Sequence, residues 1–273
     1  MTAPLLGTAV TEILDAVLDD GPDHFFVVNP SARAFEQLTD AAVAIEGDLP
    51  PMRVLADEDV LKDVMADFLV ASRAADLLAD GTLSLRTLSG DAHCSIIVSE
   101  ERTVALVEVD ELVGGLSTND AEFVDVTADA VESDWESADS FSVRTPPISE
   151  VSETLESAIG DDARADFHAM LDVLDTEGDD EHEVDEVVVS LLVAAKNGVL
   201  LYDISKWGED VGIASKATFS RTKTKLEDVG LVDTEKVPID VGRPRLRLRL
   251  AGGLDPDDDP ATVVQSAIDV LSA

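Results

Sequence analysis

The fold of the C-terminal part of the chain is decided by the segment Ile204–Val237, which reads ISKWGEDVGIASKATFSRTKTKLEDVGLVDTEKV, and by the ribbon Val241–Leu250 that follows, which reads VGRPRLRLRL. Together they predict a short helix, a tight turn, a second helix, a strand, a wing and a second strand. Gly212 lies at the turn, where glycine adopts the positive φ that other residues resist. This order of elements is the plan of a winged helix-turn-helix DNA-binding domain.

The second helix of this motif is predicted to begin after Ser215, whose hydroxyl can cap it, and to end before Gly230. One face carries a stripe that is expected to face the core, formed by Phe219, Thr222, Leu226 and Val229. The opposite face carries side chains suited to phosphates and base edges, namely Lys216, Ser220, Arg221, Thr224 and Lys225. These two faces identify the helix as the predicted recognition helix.

The cations of the chain are concentrated in this module. Residues 190–250 contain 11 of the 19 Lys and Arg residues but only 8 of the 58 Asp and Glu residues, so they carry a net charge of +3. The remaining residues carry −42 and bring the total to −39. A basic module in so acidic a chain is expected to meet an anion, and nucleic acid is the obvious candidate.

Composition limits the class of protein. With 45% hydrophobic residues the chain can form real cores, so its acidity does not indicate disorder. An aspartate-rich surface, few lysines and 4% aromatics are typical of proteins from halophiles that accumulate salt. A single cysteine, Cys94, excludes a disulfide within the chain. No apolar run is long enough to span a membrane and the N-terminus lacks a basic region, so the protein is expected to be cytoplasmic.

The first 127 residues alternate between strand and helix patterns. Strands are predicted at His24–Val28, Met52–Ala56 and Leu83–Leu88, followed by a hairpin of Ser95–Ser99 and Thr103–Val109. Helices are predicted over residues 2–18, from the cap Ser31 to about Ala44, and over residues 61–78. Residues 1–127 are therefore expected to form an α/β sensor or effector domain with a mixed sheet.

The rest of the chain is predicted to contain three further parts. Residues 128–182 are expected to contain an acidic linker followed by two connector helices. The composition typical of a linker covers residues 128–150. Residues 183–252 form the winged helix-turn-helix domain, and residues 253–273 form an acidic tail with a short helix. The expected fold class is an α/β N-terminal domain, a helical connector and a C-terminal winged helix-turn-helix domain.

No pattern of residues indicates catalysis, a metal or a cofactor. The four histidines are far apart and form no HxH or HExxH pair. The chain contains no GxGxxG, no Walker loop and no GxSxG, so we expect neither an enzyme nor a bound cofactor.

The Ile204–Val232 core resembles that of archaeal winged-helix regulators. Together with the acidic α/β front half, nearly all of the chain resembles the haloarchaeal transcriptional regulators of the TbsP type, which are allied in function to the sugar-responsive TrmB regulators. The helix-turn-helix pattern is shared by many families, and only the combination is specific. The resemblance implies a dimeric DNA-binding regulator of genes of central carbon metabolism, including gluconeogenesis.

These observations lead to a hypothesis of sequence-specific binding to double-stranded promoter DNA. Arg221 is the candidate for base contact, because a guanidinium can pair bidentately with guanine. Arg243 is a candidate for backbone or minor-groove contact. The full set of candidate DNA-binding residues is Lys206, Ser215, Lys216, Thr218, Ser220, Arg221, Lys223, Thr224, Lys225, Arg243 and Arg245.

Three further expectations complete the hypothesis. The protein is expected to form a homodimer, and its N-terminal domain is expected to bind a small metabolite if it is a sensor. No interaction with a membrane is expected. The alternative from another class is an adaptor protein whose winged domain docks a protein partner.

Overall fold

The computed structural model describes residues 5–7, 10–45, 49–88, 94–109, 112–177, 183–238 and 244–272. The chain divides into two compact units, Met1–Pro147 and Ile148–Ala273. Among the helices of the described ranges, none is both long enough and apolar enough to span a membrane. The predicted fold class is confirmed, since a mixed α/β unit precedes a helical unit that contains the helix-turn-helix. The four-part division of the chain stays a prediction.

The first unit is a mixed sheet with helices. Its strands are β1 Leu5–Gly7, β2 Phe25–Val28, β3 Met52–Ala56, β4 Leu83–Thr87, β5 Ile96–Val98, β6 Thr103–Val109, β7 Leu112–Thr118 and β8 Asp139–Ser140. Its helices are α1 Val10–Leu18, α2 Ala32–Ala44, α3 Glu58–Val64, α4 Phe68–Ala79 and α5 Ala121–Ser137. In the described residues these strands form one sheet in the order β1-β7-β6-β5-β2-β3-β4-β8. β2, β3 and β4 are parallel, and the other pairings are antiparallel.

The sheet is buried on both faces at its centre. All four residues of β2 are buried, which explains why the sequence there is a continuous apolar run. On one face β2 packs with Phe35 and Leu38 of α2 in the larger core. On the other face Phe26 packs with Val131 and Trp135 of α5 in a smaller core. Helices therefore cover both faces of the parallel strands.

Three local predictions in this unit are wrong. Residues 2–18 do not form one helix, because Leu5–Gly7 pair as a strand with β7 and the helix begins at Val10. The predicted helix 61–78 is broken near Asp67, whose side chain accepts a hydrogen bond from the amide of Val70 and caps α4. The predicted linker 128–150 is helical as far as Ser137, because its buried side chains cover the smaller core.

The second unit is helical with one short ribbon. Its helices are α6 Ile148–Ala158, α7 Asp161–Glu177, α8 Glu186–Lys196, α9 Leu201–Val211, α10 Lys216–Asp228 and α11 Pro260–Leu271, and its strands are β9 Val232–Val237 and β10 Arg245–Leu250. The strands pair antiparallel, and Leu200 adds an isolated bridge to Arg247. The two connector helices and the tail helix are present as predicted. α11 packs against α7 and α8.

The two helices of the helix-turn-helix cross at Gly208. A Cβ atom at Gly208 of α9 would lie 2.3 Å from Cζ of Phe219 in α10, which is far inside van der Waals contact. Phe219 is fully buried and its ring occupies this space. Gly212 then ends α9 in the left-handed conformation predicted for the turn, with φ 92°. The small residue and the turn together set the angle between the two helices.

We expect Gly208→Ala to destabilise the second unit by about 1–3 kcal/mol, because the added methyl overpacks the helix crossing. Urea unfolding followed by Trp207 fluorescence in a Trp135→Phe background tests this, since the chain has 2 tryptophans. Lys206→Ala, at an exposed position of the same helix, should change stability by less than about 0.5 kcal/mol. A stabilisation by Gly208→Ala, as expected at an open helical site, would contradict the crossing.

Candidate nucleic-acid interface

The recognition helix α10 presents a polar face to solvent. Ser215 caps it, since its Oγ accepts a hydrogen bond from the amide of Thr218 at 3.2 Å. The hydroxyls of Ser215 and Thr218 also lie 3.0 Å apart. The exposed face is formed by Ser220, Arg221, Thr224 and Lys225. This helix can therefore present a row of donors to a groove of DNA.

The core-facing stripe of α10 is shorter than predicted. Phe219 and Leu226 are fully buried, and Thr222 is half-buried. Val229, the fourth predicted member, is 42% exposed. The helix ends at Asp228 and Val229 follows as its C-cap, so it lies at the far end of the stripe, where its side chain is left partly uncovered. The prediction for Val229 is wrong for this reason.

Arg221 differs from the other candidate cations. Its side chain is exposed and makes no hydrogen bond or ion pair with any residue that the structure describes. A guanidinium presents five donors in a planar fork, which matches the acceptors of guanine or a phosphate. Arg221 is thus available to an incoming anion without displacing a carboxylate of the described chain.

The other described cations of the predicted site each carry a carboxylate partner. The ion pairs are Lys206–Asp210, Lys216–Glu209, Lys223–Glu227, Lys225–Glu183 and Arg245–Asp203. The Lys223 and Arg245 pairs have N···O distances of 2.6 Å and 3.3 Å. A phosphate that binds one of these cations must compete with its carboxylate.

The Lys216–Glu209 pair joins α10 to α9 across the turn. The hydrogen bond from the Lys216 side chain lowers the pKa of Glu209, and the Lys216 amide also donates to Glu209 at 3.4 Å. The same side-chain bond is the main cause that raises the pKa of Lys216, to which Asp210 and Tyr202 contribute by charge. Each shift favours the charged form of its group, as expected for an ion pair at the start of the recognition helix.

Lys223 lies on a different side of the helix from the exposed face. Its side chain is only 11% exposed, and Glu227, its partner, also accepts a hydrogen bond from Thr234 of β9. The cation is therefore directed toward the ribbon. Among the candidate phosphate contacts, its position offers the least access to DNA.

Tyr202 is a candidate residue that the sequence analysis missed. It is the only tyrosine of the chain, lies in the first turn of α9 and is 47% exposed. The guanidinium of Arg245 lies over its ring at 4.1 Å from the centroid, and Arg245 also contacts Asp203. This stacking holds Arg245 in place beside an exposed hydroxyl. An isolated tyrosine in a helix gives no sequence signal for this contact, because its partner is more than 40 residues away.

The remaining described arginines of the ribbon, Arg247 and Arg249, differ in how far they are buried. Leu248 is fully buried, Arg247 is half-buried and Arg249 is exposed, which is typical of a half-buried strand. Arg249 pairs with Glu235 at 3.1 Å. Arg243, a predicted candidate for DNA contact, lies outside the described residues.

Each of the two compact units matches the model of a known protein family. The family described as transcriptional regulator TbsP-like, N-terminal, matches residues 2–146, and the family described as transcriptional regulator TbsP-like, C-terminal HTH domain, matches residues 147–268. The chain belongs to the TbsP-like family of transcriptional regulators. The junction between the two matches coincides with the boundary between the two compact units.

Other comparisons add less to the TbsP-like assignment. None of the curated proteins matches the chain. Among solved structures, a similar chain is TrmBL2, described as an archaeal chromatin protein whose structure shows a novel mode of DNA binding. The identity is 13% and the TM-score 0.35, and the match covers 51% of this chain and 54% of that chain. This similarity is too low to assign fold or function.

Among its described residues, the candidate interface of this TbsP-like regulator has no cluster of acidic or histidine side chains of the metal-binding kind. Across the described ranges, no group of three or more His, Cys, Asp or Glu side chains is arranged to hold a metal ion.

We expect Glu209→Gln to raise DNA affinity about 2- to 5-fold in dilute salt, because Lys216 is released from an exposed ion pair of modest strength. The salt slope should also become steeper by about one unit, since no freed carboxylate then takes up a cation when DNA binds. Fluorescence anisotropy over a KCl series measures both quantities. Asp269→Asn removes the same charge from α11 and serves as the control. Equal effects of the two variants would mean that net charge alone is responsible.

Proposed function

We propose that this chain is a sequence-specific regulator that binds double-stranded promoter DNA as a homodimer. The recognition helix would enter the major groove with Arg221 against a base edge. The observation that carries this proposal is the exposed guanidinium of Arg221, which has no partner among the described residues, on a helix of a TbsP-like HTH domain. Arg221 would then determine sequence preference at one base pair.

The surrounding residues would position the helix on the DNA backbone. Phosphate contacts orient a protein without specifying sequence. We assign this role to Lys206, Lys216, Lys225 and, with the least access, Lys223. Hydroxyl donors of the same surface are Ser215, Thr218, Ser220 and Thr224. Arg245, with Tyr202 beneath it, and Arg243 would contact the backbone or the minor groove from the ribbon.

The biological setting that we propose is a halophilic archaeon. The excess of 58 acidic over 19 basic residues supports this host, because solvated carboxylates keep a protein soluble in concentrated salt. The promoters would belong to genes of central carbon and sugar metabolism, including gluconeogenesis, which rests on the resemblance to regulators allied with TrmB. The protein would act in the cytoplasm, and its first unit would bind a metabolite.

Salt would shape how the regulator selects its sites. The Debye length falls from about 10 Å at 0.1 M to about 3 Å at 1 M, so long-range attraction and repulsion are both screened in concentrated salt. A body with −42 outside the DNA-binding module repels DNA most strongly in dilute buffer. Base contacts, DNA shape and two half-sites would therefore contribute more than phosphate attraction.

The alternative function is a protein-interaction adaptor. The observation that favours it is the pairing of five candidate cations with carboxylates, which leaves a nearly neutral surface. An adaptor would keep its activity when Arg221 is replaced. A regulator would lose discrete promoter binding.

We expect Arg221→Ala to cost about 1–3 kcal/mol in binding to the preferred site and to relax specificity at one base pair. Genome-wide occupancy of a tagged copy in its native cytoplasm finds the site, and competition binding with single-base variants measures the specificity. Arg164→Ala removes an exposed cation from α7 and is the matched control. An equal loss on every DNA sequence would make Arg221 a phosphate contact. Absence of promoter peaks together with a stably bound partner protein would favour the adaptor.

A further inference from the structure

A cavity of about 610 Å³ lies in the first unit, at the carboxyl ends of β3 and β4. Thr87, the last residue of β4, and Glu58, two residues beyond the end of β3, both line it. Ligands of open α/β sheets bind outside the carboxyl ends of the parallel strands. Small-molecule sites usually have volumes of about 300–1,000 Å³, so this cavity has a suitable size and place.

One wall of the cavity is the segment 141–147, which is fixed at both ends. The amide of Phe141 donates to the carbonyl of Leu85 at 2.9 Å, which continues the pairing of β8 with β4. At the other end, the buried Ser72 of α4 donates its hydroxyl to the carbonyl of Pro146 at 2.6 Å. Phe141 and Val143 pack against the larger core. This wall is therefore held in place by the fold.

Between its two anchors the wall has unused polar groups. Within the described chain, residues 142–145 make no hydrogen bond through their backbone or their side chains. Arg144 lines the cavity, is exposed and has no carboxylate partner among the described residues. The cation that also lines the cavity, Lys62, already pairs with Glu58 at 2.9 Å. In a chain with 58 acidic residues, an unpaired arginine beside free amides suits an anion.

We propose that this cavity binds a small organic anion that carries hydroxyl groups, and that Arg144 pairs with its carboxylate or phosphate. This rests on the sensing role proposed for the first unit. Hydroxyls of Ser140, Ser142 and Thr145 line the same space and would bond to the hydroxyl groups of the ligand, while Met65 and Phe141 supply apolar surface. The carboxylates of Glu58 and Asp139 in the lining would disfavour anions of high charge.

The proposal is tested by isothermal titration calorimetry of the full chain with three anions: inorganic phosphate, glycerate and glycerol 3-phosphate. Uncharged glycerol is the reference ligand. We expect saturable one-site binding of glycerate or glycerol 3-phosphate, tighter than that of inorganic phosphate, and the tighter of the two shows which anionic group is preferred. Arg144→Gln should weaken this binding at least about tenfold, the usual effect of losing a charge-assisted hydrogen bond. Lys236→Gln removes an exposed cation from β9 and should leave binding within about twofold.

The proposal would be overturned if neither glycerate nor glycerol 3-phosphate bound saturably, or if Arg144→Gln bound the anion with the same affinity as the unchanged chain. Glycerol binding as tightly as the anions would also overturn it, because Arg144 would then have no role. DNA binding without ligand is measured on the same two variants and should be unchanged. Absence of anion binding in the unchanged chain, with its DNA binding intact, rejects this inference alone, whereas absence of DNA binding in the unchanged chain rejects the proposed function.

Discussion

The contact between Gly208 and Phe219 is the constraint on which the DNA-binding unit depends. Glycine within a helix costs about 1 kcal/mol relative to alanine. Burying the Phe219 ring in the space left by the missing side chain contributes about 1.5–3 kcal/mol and offsets that cost. Because the ring lies on the inner face of α10, the opposite face with Ser220 and Arg221 must point to solvent. The packing of one buried ring thus orients the residues proposed to read DNA.

If the proposed DNA contacts are right, charge pairing around this helix would lower non-specific affinity more than specific affinity. Non-specific binding comes almost entirely from phosphate contacts. Each paired cation, such as Lys216 with Glu209 or Lys225 with Glu183, must exchange a carboxylate for a phosphate and gains little in the exchange. Arg221 contacts no carboxylate of the described chain, so it would not have to give up a carboxylate partner to bind DNA. A regulator arranged in this way would lose little specificity in concentrated salt, because its selectivity rests on short-range contacts that salt screens weakly.

Local signals in the sequence predicted the helix-turn-helix but not the surroundings of its cations. Ser215, Gly212 and the spacing of Phe219 and Leu226 act within one or two turns, so they are readable from the chain itself. The Lys225–Glu183 pair joins residues 42 apart, and Arg245 reaches Tyr202 over a similar separation. Such contacts follow from tertiary packing, for which periodicity contains no information.

The same limit explains the errors in the first unit. The pattern of residues 61–78 is helical throughout, yet Asp67 caps a new helix because its carboxylate competes for the amide of Val70. Polar residues of 128–137 resemble a linker, yet Val131 and Trp135 are enough to bury one face of α5 on Phe26. A few apolar side chains on a helix therefore outweigh its average composition when an open sheet face is available.

An arginine without a carboxylate partner is a candidate anion site in a chain with three times as many acidic as basic residues. Where a carboxylate already contacts a cation, an incoming anion gains only the difference between two similar interactions. Arg221 and Arg144 have no carboxylate partner among the described residues, so an anion would gain the full interaction at either position. Arg221 lies on the exposed face of α10 and Arg144 lies on the anchored wall 141–147. DNA at Arg221 and a small anion at Arg144 would therefore each meet a cation that no described carboxylate already occupies.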